Sequence, residues 1–186
     1  MANPRPGTTA LPRRRAVVAR LPAVELELFL PAAAEEFAAA ARRSRALHRP
    51  WVHPPLSAEA AAELARGRLG PASYGYLVRA GGDALLAGYI AVSNIVRGAF
   101  RSAYLGYYAF AGCEGRGLMS AGLRAVLAQA RTTLGLHRLE ANIQPGNAAS
   151  IALVQRLGFR CEGYSPRYLK IGGRWRDHER WAILLE

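Results

Sequence analysis

With 186 residues, 51% hydrophobic and 20% charged, the chain can build one substantial core and is too short for several domains. Lys and Arg number 25 against 13 Asp and Glu, a formal charge of +12, which favours acidic partners (a polyanionic cofactor, an acidic peptide or RNA) unless it merely reflects genome composition. Two cysteines, Cys113 and Cys161, argue against a disulfide framework; no apolar run reaches a membrane span, and Arg20, Pro22 and Glu25 break up any signal peptide, so a cytoplasmic protein is expected.

Residues 1–14 carry three prolines before Arg13 and no hydrophobic periodicity, which predicts a mobile basic tail ahead of one domain over 15–186. Ala16–Leu30 reads as a first strand ending at Pro31, and the alanine-rich Ala32–Leu47 as a helix. His48–Leu56, with three prolines and Trp51, predicts an ordered turn. Ser57 looks like the cap of a helix running to about Arg68. Tyr74–Arg79 and Ala84–Ser93 read as strands around the hairpin turn Ala80–Asp83, and Arg101–Phe110 as a third strand after the loop Asn94–Ala99.

At Gly117 the hydrophobic period changes from two to about three and a half. Met119, Leu123, Val126, Leu127, Ala130 and Leu134 then share one helical face, and Gly135 supplies the stop. His137–Ile143 predicts a short strand, Gln144–Asn147 a turn whose last residue can cap the helix Ala148–Leu157, and Phe159–Tyr164 and Arg174–Leu185 the final strands. The pattern is one mixed α/β sheet with interleaved helices.

The junction Tyr104–Gly122 carries the chemistry. A strand-like aromatic run passes through Glu114-Gly115-Arg116-Gly117 into a helix. A helix start leaves about four backbone N–H groups unbonded at the positive end of the macrodipole, and glycines let a ligand close to the main chain, so the place suits phosphate or pyrophosphate. No Gly-Lys-Ser/Thr follows, so this is no P-loop; the third glycine is misplaced for a dinucleotide fingerprint. A second signal follows about 25 residues later: Asn142 ending a strand, then Pro145, Asn147, Ser150 and Leu157-Gly158-Phe159. Singly, each reads more readily as a cap, a helix stop or a core aromatic than as a site.

In this order and spacing, Gly112–Gly158 resembles the acetyl-coenzyme-A-binding core of the GNAT N-acetyltransferases. Ser93–Phe100, Tyr104–Tyr107, Glu162-Gly163-Tyr164 and Trp175–His178 resemble its RimJ/RimL branch, which acetylates N-terminal amines of ribosomal proteins. The resemblance covers roughly residues 48–185. It implies a single, mostly antiparallel sheet of about seven strands with a splayed central pair and about four flanking helices. It also implies that the backbone of Tyr108, Ala109 and Phe110 pairs with pantetheine and that Glu114, Gly115, Arg116, Gly117, Leu118 and Met119 wrap the pyrophosphate. Asn142 and Asn147 would hold the cofactor's polar arm. Glu114 departs from the family pattern and would have to point away from the phosphates, leaving Arg116 to supply charge.

Many members place a tyrosine four residues before the closing Gly-Phe as the acid for the departing thiolate; here that place is Val154, which cannot donate. Ser150, one turn earlier on the same face, matches the serine of the RimJ/RimL branch and is expected to protonate the sulfur, unless it is a second helix-start cap. An α-amine has a pKa of about 7.7–8.0, so roughly a tenth is neutral near pH 7 and a weak base suffices. Glu162 and Asp177 are candidates for it, His178 is another, and Trp51, Tyr107 and Tyr164 are candidates for lining the acceptor cleft. The expected reaction uses acetyl-CoA and no metal, with a protein N-terminal alanine as acceptor. The rivals are a small amine (an amino acid or aminoglycoside) and a non-catalytic acyl-CoA-binding or RNA-associated module. Ribosome association and a homodimer belong to the same resemblance, and no residue of the chain decides either.

Overall fold

A computed structural model describes residues 17–20, 24–81 and 85–186. The predicted tail over 1–14 and the last two residues of the turn Ala80–Asp83 lie outside them. In chain order the elements are β1 Val17–Arg20, β2 Val24–Leu28, a 3-10 turn Pro31–Ala33, α1 Ala34–Arg43, α2 Arg45–His48, α3 Ala58–Gly67, β3 Leu69–Gly70, β4 Ser73–Ala80, β5 Leu86–Val96 and β6 Ser102–Ala109. There follow α4 Leu118–Thr132, β7 Arg138–Ile143, α5 Ala148–Arg156, β8 Arg160–Ile171 and β9 Arg174–Leu184. The strands form one sheet in the order β1-β2-β4-β5-β6-β7-β9-β8, with β3 beside β4. Every pairing is antiparallel except β6 with β7.

Alternation along the strands separates two cores, one on each sheet face. Leu26, Val78, Ile90, Val92, Leu105 and Leu139 pack with Leu123 and Val126 of α4 and Val154 of α5. The sequence neighbours Leu77 and Tyr89, and Phe110 after β6, point the other way, onto Phe29, Phe37 and the alanines of α1 and α3. The aromatic cluster is orderly: Phe37 stacks on Phe29 at 4.6 Å between centroids and meets Tyr89 and Phe110 edge-on. Small residues let the layers approach. A Cβ on Gly122 of α4 would fall 2.7 Å from a methyl of Val78, so the helix lies directly on the sheet there.

The feature that shapes the molecule is the β6–β7 pair. It runs parallel for three rungs, Ser102 opposite Arg138 to Tyr104 opposite Glu140, and then stops. Beyond that point β6 stays on β5 as far as Ala109 opposite Gly88, while β7 stays on β9 as far as Ile143 opposite Glu179. Each strand is held by its outer neighbour, so the centre of the sheet parts.

Three sequence expectations are corrected. Ala16–Leu30 is two strands, β1 and β2, paired with Arg20 opposite Glu25; Pro22, which has no N–H for a ladder, separates them in the sequence. The predicted helix Ala32–Leu47 is divided at Ser44, whose Oγ donates to Ala40 C=O (2.7 Å) and accepts from Ala111 N–H (2.8 Å). The strand predicted to end at Tyr164 continues to Ile171, because a bulge between Ser165 and Leu169 absorbs Pro166 on this edge strand. The sheet therefore has nine strands among the described residues, against about seven expected.

One buried charge cluster ties the α1 layer to the sheet. The Arg79 guanidinium bonds Glu36 of α1 at 2.6 and 2.7 Å and Glu27 of β2 at 3.0 Å, and Glu27 and Arg79 are both buried. Replacing Arg79 with Leu takes a cation away from a buried carboxylate, which costs about 3–5 kcal/mol. Thermal melting should show Tm lowered by roughly 10 °C; a Tm within a degree or two of the native chain would mean that Glu27 is held by other means.

Candidate active site

The parted strands open into a cleft of about 1120 Å³. The turns from α2 to α3, from β6 to α4 and from β7 to α5 all border it, and side-chain bonds lock them together. His48 Nε2 donates to Ala109 C=O at 2.8 Å, Gln144 Nε2 donates to Trp51 C=O at 3.2 Å, and Trp51 packs on Gly146. The β8–β9 turn closes on the same region, since a Cβ on Gly172 would meet the His53 ring at 2.8 Å.

At one end lies the glycine turn. Gly115 and Gly117 have φ of +69° and +75°, left-handed conformations that aim successive amides to one side. A Cβ on either would meet no protein atom within 4 Å, so what these glycines preserve is backbone shape and open approach. Gly117 caps α4 without a side-chain bond, and the first intrahelical bond is Ala121 N–H to Gly117 C=O at 3.0 Å. The amides of Leu118, Met119 and Ser120 precede it, with no acidic residue in the first turn. Glu114 turns its carboxylate back onto Gly112 N–H at 2.7 Å, so its charge is engaged within its own loop. Arg124 and Arg156 line this part of the cleft, whereas Arg116 is exposed and does not. These donors suit a diphosphate.

The middle of the cleft holds the parted backbone. Phe110 N–H is already given to Ala87 C=O and the Phe110 side chain is buried in the core, so of the three residues expected to meet pantetheine only Tyr108 and Ala109 line the opening. Asn142 lies opposite, and its side-chain oxygen is buried without a partner, an arrangement that a ligand amide would complete. Asn147 accepts from Ser150 N–H at 3.2 Å and is the cap of α5. That leaves the Ser150 hydroxyl free of capping; it sits 2.7 Å from the hydroxyl of Tyr107. Burial pushes the Tyr107 phenol up to about 12, against a smaller lowering by Ser150, so it stays protonated.

The remaining sequence candidates divide. Trp51, Tyr107 and His178 line the cleft; Glu162, Asp177 and Tyr164 do not. Glu162 forms a bidentate ion pair with Arg138, which holds its carboxyl below the ordinary range. Asp177 receives the Tyr164 hydroxyl and the Arg167 N–H, and these bonds lower it too. Arg167 has φ of +48° in the β8 bulge, so Asp177 and Tyr164 brace that irregularity. His178 is buried; its Nδ1 lies 3.0 Å from Arg176 C=O, which leaves the lone pair on Nε2, and burial lowers its pKa.

Sequence reasoning missed His48, Arg68, Tyr89 and Arg124 among the lining residues. Arg124 had a signal, being one turn beyond Ser120 on α4. His48 had none, because its role depends on a carbonyl 61 positions away.

Residues 24–160 match the family described as the acetyltransferase (GNAT) domain. The [ribosomal protein uS5]-alanine N-acetyltransferase of Escherichia coli (strain K12) is 45% identical over 91 residues, 49% of this chain and 47% of that protein. The probable N-acetyltransferase YjcK of Bacillus subtilis (strain 168) is 37% identical over 102 residues, 55% of this chain and 56% of that protein. The chain thus spans about half the length of the curated relatives it matches. Among solved structures, Mycobacterium smegmatis RimJ in complex with CoA-disulfide superposes with a TM-score of 0.79 at 27% identity, covering 87% of this chain and 81% of that one. A parted parallel strand pair, a glycine turn opening a helix, and a family match over most of the sequence lead to one conclusion: the chain belongs to the GNAT acetyltransferase family.

Proposed function

We propose that this protein transfers an acetyl group from acetyl-CoA to a primary amine, in particular the N-terminal amine of a protein, with alanine on a ribosomal protein as the favoured acceptor. The observation that carries this reading is the continuity of the cleft, from the amides of the glycine turn, past Tyr108 and Ala109 of β6, to Ser150. The amides of 115–119 and Arg124 would bind the diphosphate, and Asn142 would satisfy its buried oxygen on the pantetheine arm. A backbone N–H of β6 would stabilise charge developing on the thioester oxygen as the amine attacks. Ser150 would give its proton to the departing sulfur. Of the three groups weighed as proton acceptors, His178 lines the cleft, and its unprotonated Nε2 suits an attacking nitrogen whose acidity rises as the new bond forms.

The acceptor end favours a peptide. Trp51, Val52, Pro54, Pro55, Leu169 and Ile171 line the cleft and would form it, and Arg68 and Tyr89 also line the cleft. Glu114, at the opposite end, is the one carboxylate among the described lining residues, so a polyamine would find no counter-charge where it must bind. A basic surface suits an acceptor presented by a ribosome, and a similarity to a uS5-alanine acetyltransferase supports the same choice. A small amine such as an amino acid remains the second reading, because Arg68 offers a cation that could receive its carboxylate.

Thiol release from acetyl-CoA, corrected for hydrolysis, should be fast with peptides beginning in alanine and at least tenfold slower with free amino acids or aminoglycosides. Faster turnover of the small amines would replace the first reading with the second, and tight coenzyme A binding without turnover of any acceptor would indicate a binding module. Gly117→Asp forces a side chain and a negative charge into a left-handed position beside the phosphates. Calorimetry should show coenzyme A affinity reduced by roughly two orders of magnitude, from about 1–2 kcal/mol of backbone strain plus charge repulsion; unchanged affinity would remove the turn from the site. Ser150→Ala should lower kcat about 100-fold with coenzyme A affinity little changed, and an unaltered kcat would show that the thiolate leaves without it.

A further inference from the structure

A serine alone is a poor acid for a thiolate. An alcohol is about as weak an acid as water, far weaker than a thiol near about 8.5, so a proton passed from Ser150 to sulfur would leave an alkoxide that takes it straight back. The structure contains a remedy. The Tyr107 hydroxyl lies 2.7 Å from Ser150 Oγ and 3.3 Å from the Ser150 carbonyl oxygen. Tyr107 comes from the parted strand β6 and Ser150 from α5, so the contact spans the opening and both residues line the cleft. The Ser150 N–H is satisfied by Asn147, so the hydroxyl is not spent on capping.

We propose that Tyr107 is the proton source behind Ser150, and that the two hydroxyls form a relay in which Ser150 delivers a proton to the departing sulfur while taking one from the phenol. This inference rests on the acetyl-transfer reading above. In the step, the carbon–sulfur bond breaks and its electron pair goes to sulfur; sulfur takes the Ser150 proton, Ser150 Oγ takes the Tyr107 proton, and a tyrosinate is left. The proton lost by the attacking amine departs through His178 to solvent, and after product release a cleft water restores the phenol through Ser150. Donor and acceptor balance with no further reactant. Even with burial holding the phenol at about 12, it is a stronger acid than an alcohol, so the gap to the thiol narrows.

The test measures kcat and KM for acetyl-CoA with an alanine-initiated peptide in the native chain, Tyr107→Phe, Ser150→Ala and the double variant, together with a chain carrying 3-fluorotyrosine at position 107. The relay predicts that Tyr107→Phe loses about 10- to 100-fold in kcat with KM changed less than about twofold. It predicts that the double variant is no slower than the worse single variant by more than about threefold, since the two act as a unit. The fluorinated phenol, a stronger acid of nearly the same shape, should turn over a few-fold faster than the native chain. A native kcat in Tyr107→Phe, or multiplicative losses in the double variant, would overturn the relay. So would a fluorotyrosine rate equal to the native one, which would reduce Tyr107 to holding the serine in place. If Tyr107→Phe does not fold, the fluorotyrosine comparison decides alone. Absence of turnover in the native chain would end the acetyl-transfer reading and the relay with it, which is distinct from native turnover that is indifferent to Tyr107.

Discussion

Everything in this molecule is arranged around a parallel strand pair that is allowed only three rungs. β6 and β7 begin side by side at Ser102 and Arg138 and lose each other after Tyr104 and Glu140. The separation is stable because neither strand depends on the other: β6 has a continuous ladder on β5, and β7 on β9. Parting a sheet leaves backbone groups facing an interior space, and such groups are costly unless something bonds them. His48 takes the Ala109 carbonyl, and the Asn142 side-chain oxygen is left waiting. A ligand with an extended, amide-bearing arm completes that ledger of donors and acceptors, whereas a compact sugar or a flat ring would not follow the strand edge.

The same opening fixes the positions of the chemistry. The chain leaves β6 through a glycine turn that ends in the unbonded amides of α4, so an anion-binding end is built directly onto the parted strand. It returns along β7, turns at Gly146 and starts α5, so Ser150 comes back across the gap toward Tyr107. The segment from Ser44 to Trp51 is tied down at both ends, Ser44 to Ala111 and Trp51 to Gln144, which gives this side of the cleft a defined wall rather than a loose loop. In the proposed reaction, diphosphate, thioester and amine would occupy successive stretches of one cleft.

Local signals carried much of this into the sequence. The change of period at Gly117, the caps at Ser57 and Asn147 and the glycines of the turn each depend on neighbours a few residues away, and each sits where the pattern placed it. What the sequence could not show depends on pairs distant along the chain. Ser44 divides a helix because it meets Ala111, and His48 is functional in position only because Ala109 is above it. Glu162 and Asp177 had the right chemistry for a base, yet Arg138 and the β8 bulge draw them to the outer strands, away from the cleft. The strand expected over Phe159–Tyr164 runs on to Ile171 because a bulge on an edge strand leaves little local trace in the sequence. That Tyr107, expected only as a lining aromatic, also meets Ser150 depends likewise on the distance between β6 and α5.

The most direct measurement is a crystal structure of the chain with coenzyme A bound. It should place the diphosphate on the amides of residues 115–119, the pantetheine arm between β6 and β7 in contact with Asn142, and the sulfur within hydrogen-bonding reach of Ser150. A nucleotide seated elsewhere, with the space between the two strands unchanged, would contradict the central claim that the parted sheet is the cofactor site.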